Sequence, residues 1–300
     1  MGTRSKGISA GFGWLSSGIG VGFRHPKPLF GGAAIVGLMA LIPTFITLPI
    51  QFHAAQSGTP LPPTYMVWAT LFSMLFGLLL LPLYAGYLQT VDAAERGLAA
   101  RASDVFKPYL EGKALRFIGF GLVMLLVYIA VFAALIAATG GGIAHWYVQA
   151  ITAQANHLPP PTAMPPGFWT VFLLGFVLCT FMMGVYSISL GQLTLGNRSV
   201  FGAVGDGLIG ALKNILPLLM LLLGFIIVGI IAAICFFIAA LLLAFIGKLI
   251  ATWMMFVLLV PLYIALILTM FTVMFGVMYH MWRDVCDGDN AMRAAEAIAA

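Results

Sequence analysis

The sequence has little charge: 8% of its 300 residues are Asp, Glu, Lys or Arg, whereas 62% are hydrophobic. A soluble globular domain carries about 25% charged residues, so this composition excludes that class. A disordered chain is also excluded, because it needs high charge and little apolar content. The mean hydropathy of +1.08 agrees with both exclusions. The chain is therefore expected to be an integral membrane protein.

Cysteine is scarce as well, with three residues in the whole chain. This number excludes a disulfide-stapled secreted module. Three single histidines, His53, His145 and His157, lie in segments between apolar runs without the spacing of a zinc motif. We therefore expect neither a metal ion nor another cofactor.

Charge is absent above all from the long apolar runs. A bilayer core about 30 Å thick needs about 20 apolar helical residues per crossing. Six runs meet this requirement, at residues 28–52, 64–89, 117–139, 168–192, 214–247 and 249–280. The runs are continuous and do not alternate as the strands of a membrane barrel do. The predicted fold class is all-α, a polytopic transmembrane helical bundle of six spans that forms a single membrane domain over residues 1–300.

Positive charge indicates the orientation, because cytoplasmic loops retain Lys and Arg. Of the 14 basic residues, all but Lys248 fall on one side of the six-span arrangement, and so do all nine acidic residues. Both termini are therefore predicted to be cytoplasmic. The first apolar run is long, so we expect it to be retained and not cleaved as a signal peptide. The expected location is the bacterial inner (cytoplasmic) membrane.

Three short segments on the predicted cytoplasmic side precede pairs of spans and begin at Phe12, Phe106 and Phe201. In the first segment the apolar face predicted from helical spacing consists of Phe12, Leu15, Ile19 and Phe23. In the third it consists of Phe201, Val204, Leu208, Leu212 and Ile215, and both patterns predict interfacial amphipathic helices. Pro108 predicts that the helix in the second segment is short. The candidate residues for a cytoplasmic interface are Trp14, Phe106, Phe201, Asp206 and Lys213.

Internal similarity suggests a repeat of one such segment and two spans. The three phenylalanines recur at nearly equal intervals, as do Gly86, Gly184 and Gly276 near the ends of the span pairs. The units would be residues 8–100, 101–198 and 199–290, in a parallel threefold repeat. The identities are few, so six spans without repetition remain the alternative.

The span interiors lack Asp, Glu, Lys and Arg near their centres, in contrast to many ion-coupled pumps. Their candidate polar groups are hydroxyls: Thr44, Thr47, Thr180, Ser187, Thr269 and Thr272. Such hydroxyls usually bond to a helix carbonyl or to a neighbouring helix. The alternative is that they line a passage for a neutral or amphiphilic solute, next to helices broken by proline.

Gly205, Gly207 and Gly210 form a G-x-G-x-x-G pattern. In a nucleotide-binding fold this pattern follows a strand. Here an apolar span and a short polar turn precede it. We therefore interpret these glycines as the face of a helix packed closely against a neighbour.

Several segments together resemble a known family: Gly13-Trp14, Pro28, the stretch GYLQTVDAAERG at residues 86–97, and Asp104-Val105-Phe106. They are similar to a family of uncharacterised six-helix bacterial inner-membrane proteins that resembles the membrane domain of some glycerophosphodiester phosphodiesterases. The resemblance implies a six-helix membrane fold without an established activity. The soluble phosphodiesterase barrel and its metal-binding carboxylates are absent from this sequence, so no catalytic residue is carried over.

The leading hypothesis is a non-enzymatic multi-pass membrane protein that organises lipid or a membrane protein partner. Basic residues on the cytoplasmic side should favour anionic lipids by about 1 kcal/mol each; no nucleic acid is expected as a partner. The alternative is a transporter or channel for a neutral or amphiphilic solute. A membrane enzyme comes third, with Asp92, Glu95, Asp206 or His280 as its acids and bases.

Overall fold

The structure, a computed structural model, describes residues 2–59, 61–139, 141–156, 158–165, 167–251 and 253–286. His157 and the tail residues from Asp287 onward, including the end of the third repeat unit, lie outside the described residues.

Every regular element in the described ranges is helical. The chain forms α1 (Ala10–Arg24), α2 (Pro26–Ala40), α3 (Ile42–Ser57), α4 (Pro63–Glu95), a 3₁₀ helix (Ala102–Phe106), α5 (Lys107–Leu110), α6 (Ala114–Ala138), α7 (Gly142–Ala155), α8 (Phe168–Thr194), α9 (Val200–Lys213), α10 (Ile215–Ile250) and α11 (Met254–Cys286). The prediction of an all-α fold is confirmed.

Five helices, α4, α6, α8, α10 and α11, are long and apolar enough to cross a membrane. The pair α2 and α3 brings the number of candidate spans to six if the two helices form one broken span. Five or six candidate spans agree with the six predicted runs, and helices of this kind indicate a membrane protein.

The segment predicted as the first span is bent: the sequence predicted one run over residues 28–52, and the structure divides it into α2 and α3. Helices α2 and α3 meet at Leu41 with an angle of 42°. Pro43 lies in the first turn of α3. Proline has no N–H to donate, and its ring collides with the carbonyl four residues earlier, so a continuous helix is interrupted here.

Helix α10 contains 36 residues. At 1.5 Å per residue it is about 54 Å long and exceeds the hydrocarbon thickness. It continues to Ile250, so the predicted start of the last span at residue 249 is wrong; α11 begins at Met254. The apolar run extends to Ile250, and the backbone becomes extended only at Ala251.

The buried core lies at one end of the bundle. We call this the basic end; it contains the carboxyl ends of α4, α8 and α11 and the amino ends of α6 and α10. The fully buried large side chains there include Tyr87, Phe120, Ile188, Leu218 and Tyr279. In the opposite half, which we call the outer half, large apolar side chains are mostly exposed.

Three short segments pack against the helices at the basic end, and we call them the elbows: α1, the 3₁₀ helix with α5, and α9. Elbow α1 contacts α10 and α11, the 3₁₀ helix contacts α2 and α4, and α9 contacts α8 and α6. Each contact is close because glycines allow the elbow and the neighbouring helix to approach each other at the backbone. A Cβ on Gly18 would lie 2.7 Å from Val277 N, and one on Gly207 would lie 2.6 Å from Val185 O.

The elbow faces differ from the predicted ones. In α9 the buried face consists of small residues and Val204, whereas the bulky Phe201 and Leu212 point away from the bundle. In α1 the buried face includes Trp14 and Leu15, so this helix is inserted between α10 and α11. Gly207 and Gly210 pack closely against α8, in agreement with the helix-packing interpretation of the glycine pattern, but a Cβ on Gly205 would meet no atom within 4 Å, so the interpretation is wrong for this glycine. The 3₁₀ helix and the four-residue α5 confirm that the second elbow is short.

Candidate functional site

A polar cluster at the basic end is centred on Glu95, the last residue of α4. Arg24 at the end of α1 donates from Nη2 to both Glu95 carboxylate oxygens, at 2.9 and 3.1 Å. His280 of α11 places Nε2 3.6 Å from Glu95 Oε2, and His25 Nε2 lies 3.8 Å from Oε1. The side chains of Glu95 and His280 are only 9% and 7% exposed. The carboxylate is therefore hydrogen-bonded to α1 through Arg24, and His280 of α11 lies beside it without a hydrogen bond to it.

A second cluster links α8, α9 and α11. Arg198 contacts both oxygens of Asp206, with Nε to Oδ2 at 2.9 Å and Nη2 to Oδ1 at 3.3 Å. Gln192 Nε2 also donates to Asp206 Oδ2 at 3.0 Å, and Gln192 Oε1 accepts from Trp282 Nε1 at 3.4 Å. The hydrogen bonds to Asp206 raise the pKa of the Arg198 guanidinium above its ordinary value. The arrangement fixes elbow α9 against the carboxyl end of α11.

The amino-terminal segment before α1 connects α9 with the end of α11. Asn214 Nδ2 donates to Arg4 O and Asn214 Oδ1 accepts from Lys6 N, both at 2.8 Å. Asp284 binds Lys6 Nζ at 2.5 Å and accepts from Trp14 Nε1 at 3.0 Å. The segment thereby fixes α1 between α10 and α11.

The predicted intramembrane hydroxyls do not form one site. Four of them bond to the carbonyl of their own preceding turn: Thr47, Thr180, Ser187 and Thr269. Thr44 is exposed on α3. Thr272 is the exception, because its Oγ1 accepts a hydrogen bond of 3.1 Å from Tyr87 of α4. Most of these hydroxyls therefore donate to a carbonyl of their own helix, as we expected for hydroxyls in membrane helices.

The candidate interface residues occupy different environments. Trp14 is 3% exposed and belongs to the core, whereas Phe201 is 77% exposed on the outer face of α9. Phe106 is half-buried and Asp206 is held by Arg198. Lys213 is exposed and donates to Thr3 O at 2.9 Å.

Of the four candidate acids and bases, the structure brings Glu95 and His280 together. Asp92 instead accepts from Arg96 Nε at 2.7 Å, and Asp206 pairs with Arg198. The role of Arg24 and of the amino-terminal segment was missed, because nothing in their local sequence indicates which distant helix they contact. Within the described ranges, no three His, Cys, Asp or Glu side chains are grouped so that they could hold a metal ion.

The outer half of the bundle presents large apolar side chains on several spans. Trp68 of α4, Phe172 of α8, Phe237 of α10 and Tyr263 of α11 are each more than half exposed. In the most apolar windows of α10 and α11, no residue is buried by the rest of the chain. Apolar surface of this extent must be covered by lipid or by another protein.

No family model, no curated protein and no solved structure matches the chain.

Proposed function

We propose that this chain is a non-enzymatic multi-pass protein of the bacterial inner membrane that organises lipid around its helices. The observation that carries the proposal is the exposure of the outer half, where α10 and α11 leave their apolar surface uncovered. Acyl chains are the apolar material that surrounds such helices in a bilayer. We further propose that the basic end faces the cytoplasm, in accordance with the distribution of Lys and Arg.

The elbows support contact with anionic lipid. Each has bulky apolar side chains that point away from the bundle, such as Phe23, Leu110 and Leu212. Each also has a basic residue close to its carboxyl end: Arg24, Lys113 and Lys213. Arg24 is paired with Glu95 and Lys113 with Glu111, and these acids reduce the attraction of the first two elbows for anionic headgroups. Apolar residues beside cations at the membrane boundary favour anionic headgroups.

The contact pattern supports the proposed threefold repeat. Each elbow packs on the two spans of the unit before it, and α1 packs on the last unit, α10 and α11. The chain would thus close as a ring of three units. One landmark departs from this pattern: Gly86 and Gly276 approach an elbow backbone, whereas Gly184 approaches the side chain of Leu218 in α10.

Native mass spectrometry of the full chain taken from its own membrane tests the proposed function. The expected result is retained phospholipid, enriched in anionic headgroups. Lys27→Gln removes an exposed cation at the basic end and should lower anionic lipid retention about fivefold, as expected for about 1 kcal/mol per cation. Lys248→Gln, which removes the exposed cation at the end of α10, is the matched control and should leave retention unchanged.

Two results would contradict the proposal. A preparation without bound lipid would show that the exposed surface does not retain it. A stoichiometric protein partner without lipid would favour the scaffold alternative, in which another protein covers the outer half. The transporter alternative is not favoured, because the candidate hydroxyls of Thr47, Thr180 and Thr269 donate to carbonyls of their own helices.

A further inference from the structure

The candidate spans form three pairs, which we call hairpins: α2 and α3 with α4, α6 with α8, and α10 with α11. The three hairpins meet along three seams that are filled differently. Between α4 and α11, the rings of Tyr84 and Tyr87 pack against Phe271 and Phe275, with centroids 5.0–6.2 Å apart. Between α4 and α6, Leu81 fits so closely against Gly121 that a Cβ there would lie 2.0 Å from its Cδ1. Both seams are filled by the chain itself.

The third seam, between α8 and the pair α10 and α11, contains a recess. About 360 Å³ of unfilled space, including the open mouth, lies between side chains of these three helices. The enclosed cavity within this space has a volume of about 70 Å³. The lining side chains include Met183, Tyr186, Phe225, Met274, Met278 and Met281. Methionine is flexible and polarisable, and it adapts to apolar ligands of irregular shape. This seam therefore has an adaptable apolar wall where the first seam has fixed aromatic rings.

The recess is closed on the side of the basic end and open towards the outer half. On the closed side, Trp282 packs so tightly on Gly191 that a Cβ there would lie 2.3 Å from its ring, and Leu218 packs in the same way on Gly184. On the open side, Met274 is 43% exposed, and Ile226 and Met270 beyond it are exposed as well. The recess is thus continuous with the apolar surface of the outer half.

The accessible surface of the lining is almost entirely apolar. Of its two residues with a hydroxyl, Ser187 donates from Oγ to Met183 O at 2.7 Å, and Tyr186 is the other. A headgroup or a polar solute would lose its hydration there without compensation. A linear apolar chain that enters from the bilayer has no hydration to lose.

We propose that this recess is a binding site for the acyl chain of a membrane lipid, held between α8, α10 and α11. The inference rests on the proposed lipid-organising function and adds a defined site to it. The occupant is an acyl chain because the mouth opens onto the surface that acyl chains would cover, and because the lining is apolar.

The test uses the full chain in bilayers that contain a phospholipid with a photoreactive diazirine in its acyl chain, with the crosslinks located by mass spectrometry. Labelling is expected to be concentrated on peptides that contain Met183 and Met274 to Met281. Met278→Trp should fill the recess and lower that labelling about tenfold, which corresponds to about 1.4 kcal/mol. Met270→Trp, on the exposed surface of the same helix, is the matched control and should leave it unchanged.

Met274→Phe is a smaller change at the mouth and should give the same decrease if Met278→Trp does not fold. Labelling spread evenly over the exposed spans, or unchanged by both recess variants, would overturn the acyl-chain site. Lipid retained in native mass spectrometry would in that case leave the proposed function standing. The absence of both labelling and retained lipid would contradict both proposals.

Discussion

Gly11→Ala should separate α1 from α10 and destabilise the basic end. A Cβ at this position would lie 2.2 Å from Pro217 O and 2.6 Å from Leu221 N. Both atoms belong to helix backbone, so the collision cannot be relieved by a side-chain rotation. Contacts of a Cβ below 3.0 Å are essentially never found, so α1 must move by about 0.8 Å or more.

The expected cost follows from two opposing effects. Overpacking a well-packed contact costs about 1–3 kcal/mol, and a rigid backbone neighbour favours the upper part of that range. Alanine recovers up to about 1 kcal/mol, because it is a better helix former than glycine. We therefore expect Gly11→Ala to lower the free energy of unfolding by about 2 kcal/mol, measured by titration with sodium dodecyl sulfate in mixed micelles.

Gly13→Ala is the matched control. It lies in the same helix, is exposed, and has no atom within 4 Å of the added Cβ. This variant should be as stable as the natural chain or more stable, because only the helix preference changes. Equal stability of the Gly11→Ala and Gly13→Ala variants would refute the packing of α1 between α10 and α11.

Three further predictions concern the polar clusters and the bent span. Asn214→Ala removes the hydrogen bonds to Arg4 O and Lys6 N. Tryptic cleavage after these two residues, monitored by mass spectrometry, should become about tenfold faster. An unchanged rate would contradict the role of Asn214. Glu95→Gln should lower the free energy of unfolding by about 1–3 kcal/mol, because the buried carboxylate accepts both hydrogen bonds from Arg24. Glu111→Gln at an exposed pair should change it by less than about 0.5 kcal/mol. Similar effects of the two changes would argue against a buried cluster. Pro43→Ala should reduce the angle between α2 and α3 from 42° to less than about 20°, measured by the distance between spin labels at Gly37 and Phe52. Pro49→Ala, inside α3, is the control and should leave the angle unchanged. A bend retained in the Pro43→Ala variant would show that the bend does not depend on this proline.

The spans were predictable because bilayer thickness imposes a minimum length of apolar helix. An apolar run of this length can be recognised in the local sequence. Helices α6 (Ala114–Ala138) and α8 (Phe168–Thr194) begin and end close to the predicted residues. The bend at Leu41 was less predictable, since Pro49 also lies inside a helix and does not break it. Whether a proline ends a helix depends on the tertiary contacts around it.

The elbows show why local patterns gave only part of the packing. Helical spacing in α9 correctly predicted a helix, but it suggested Val204 and Phe201 as one apolar face. In the structure Val204 is buried and Phe201 is exposed. Small residues such as Gly207 permit closer backbone approach, and this approach determines which face turns inward.

The polar clusters depend on contacts between residues far apart in the chain. Glu95 and His280 were each recognisable as titratable groups at the boundary of a span. Their proximity follows from the packing of α11 beside α4, which a single sequence does not specify. Arg24 joins them through the same packing, because α1 fits into the groove of α10 and α11.

We propose that the outer half lies in lipid, whereas the basic end is packed by the chain itself. Quenching of tryptophan fluorescence by phospholipids brominated on their acyl chains tests this proposal most directly, in variants that retain one tryptophan each. Trp68, Trp169 and Trp253 are more than 60% exposed, and we expect strong quenching at these positions. Trp14 and Trp282 are buried and should be quenched weakly. Equal quenching at all five positions, or none at Trp68, would contradict the proposed arrangement.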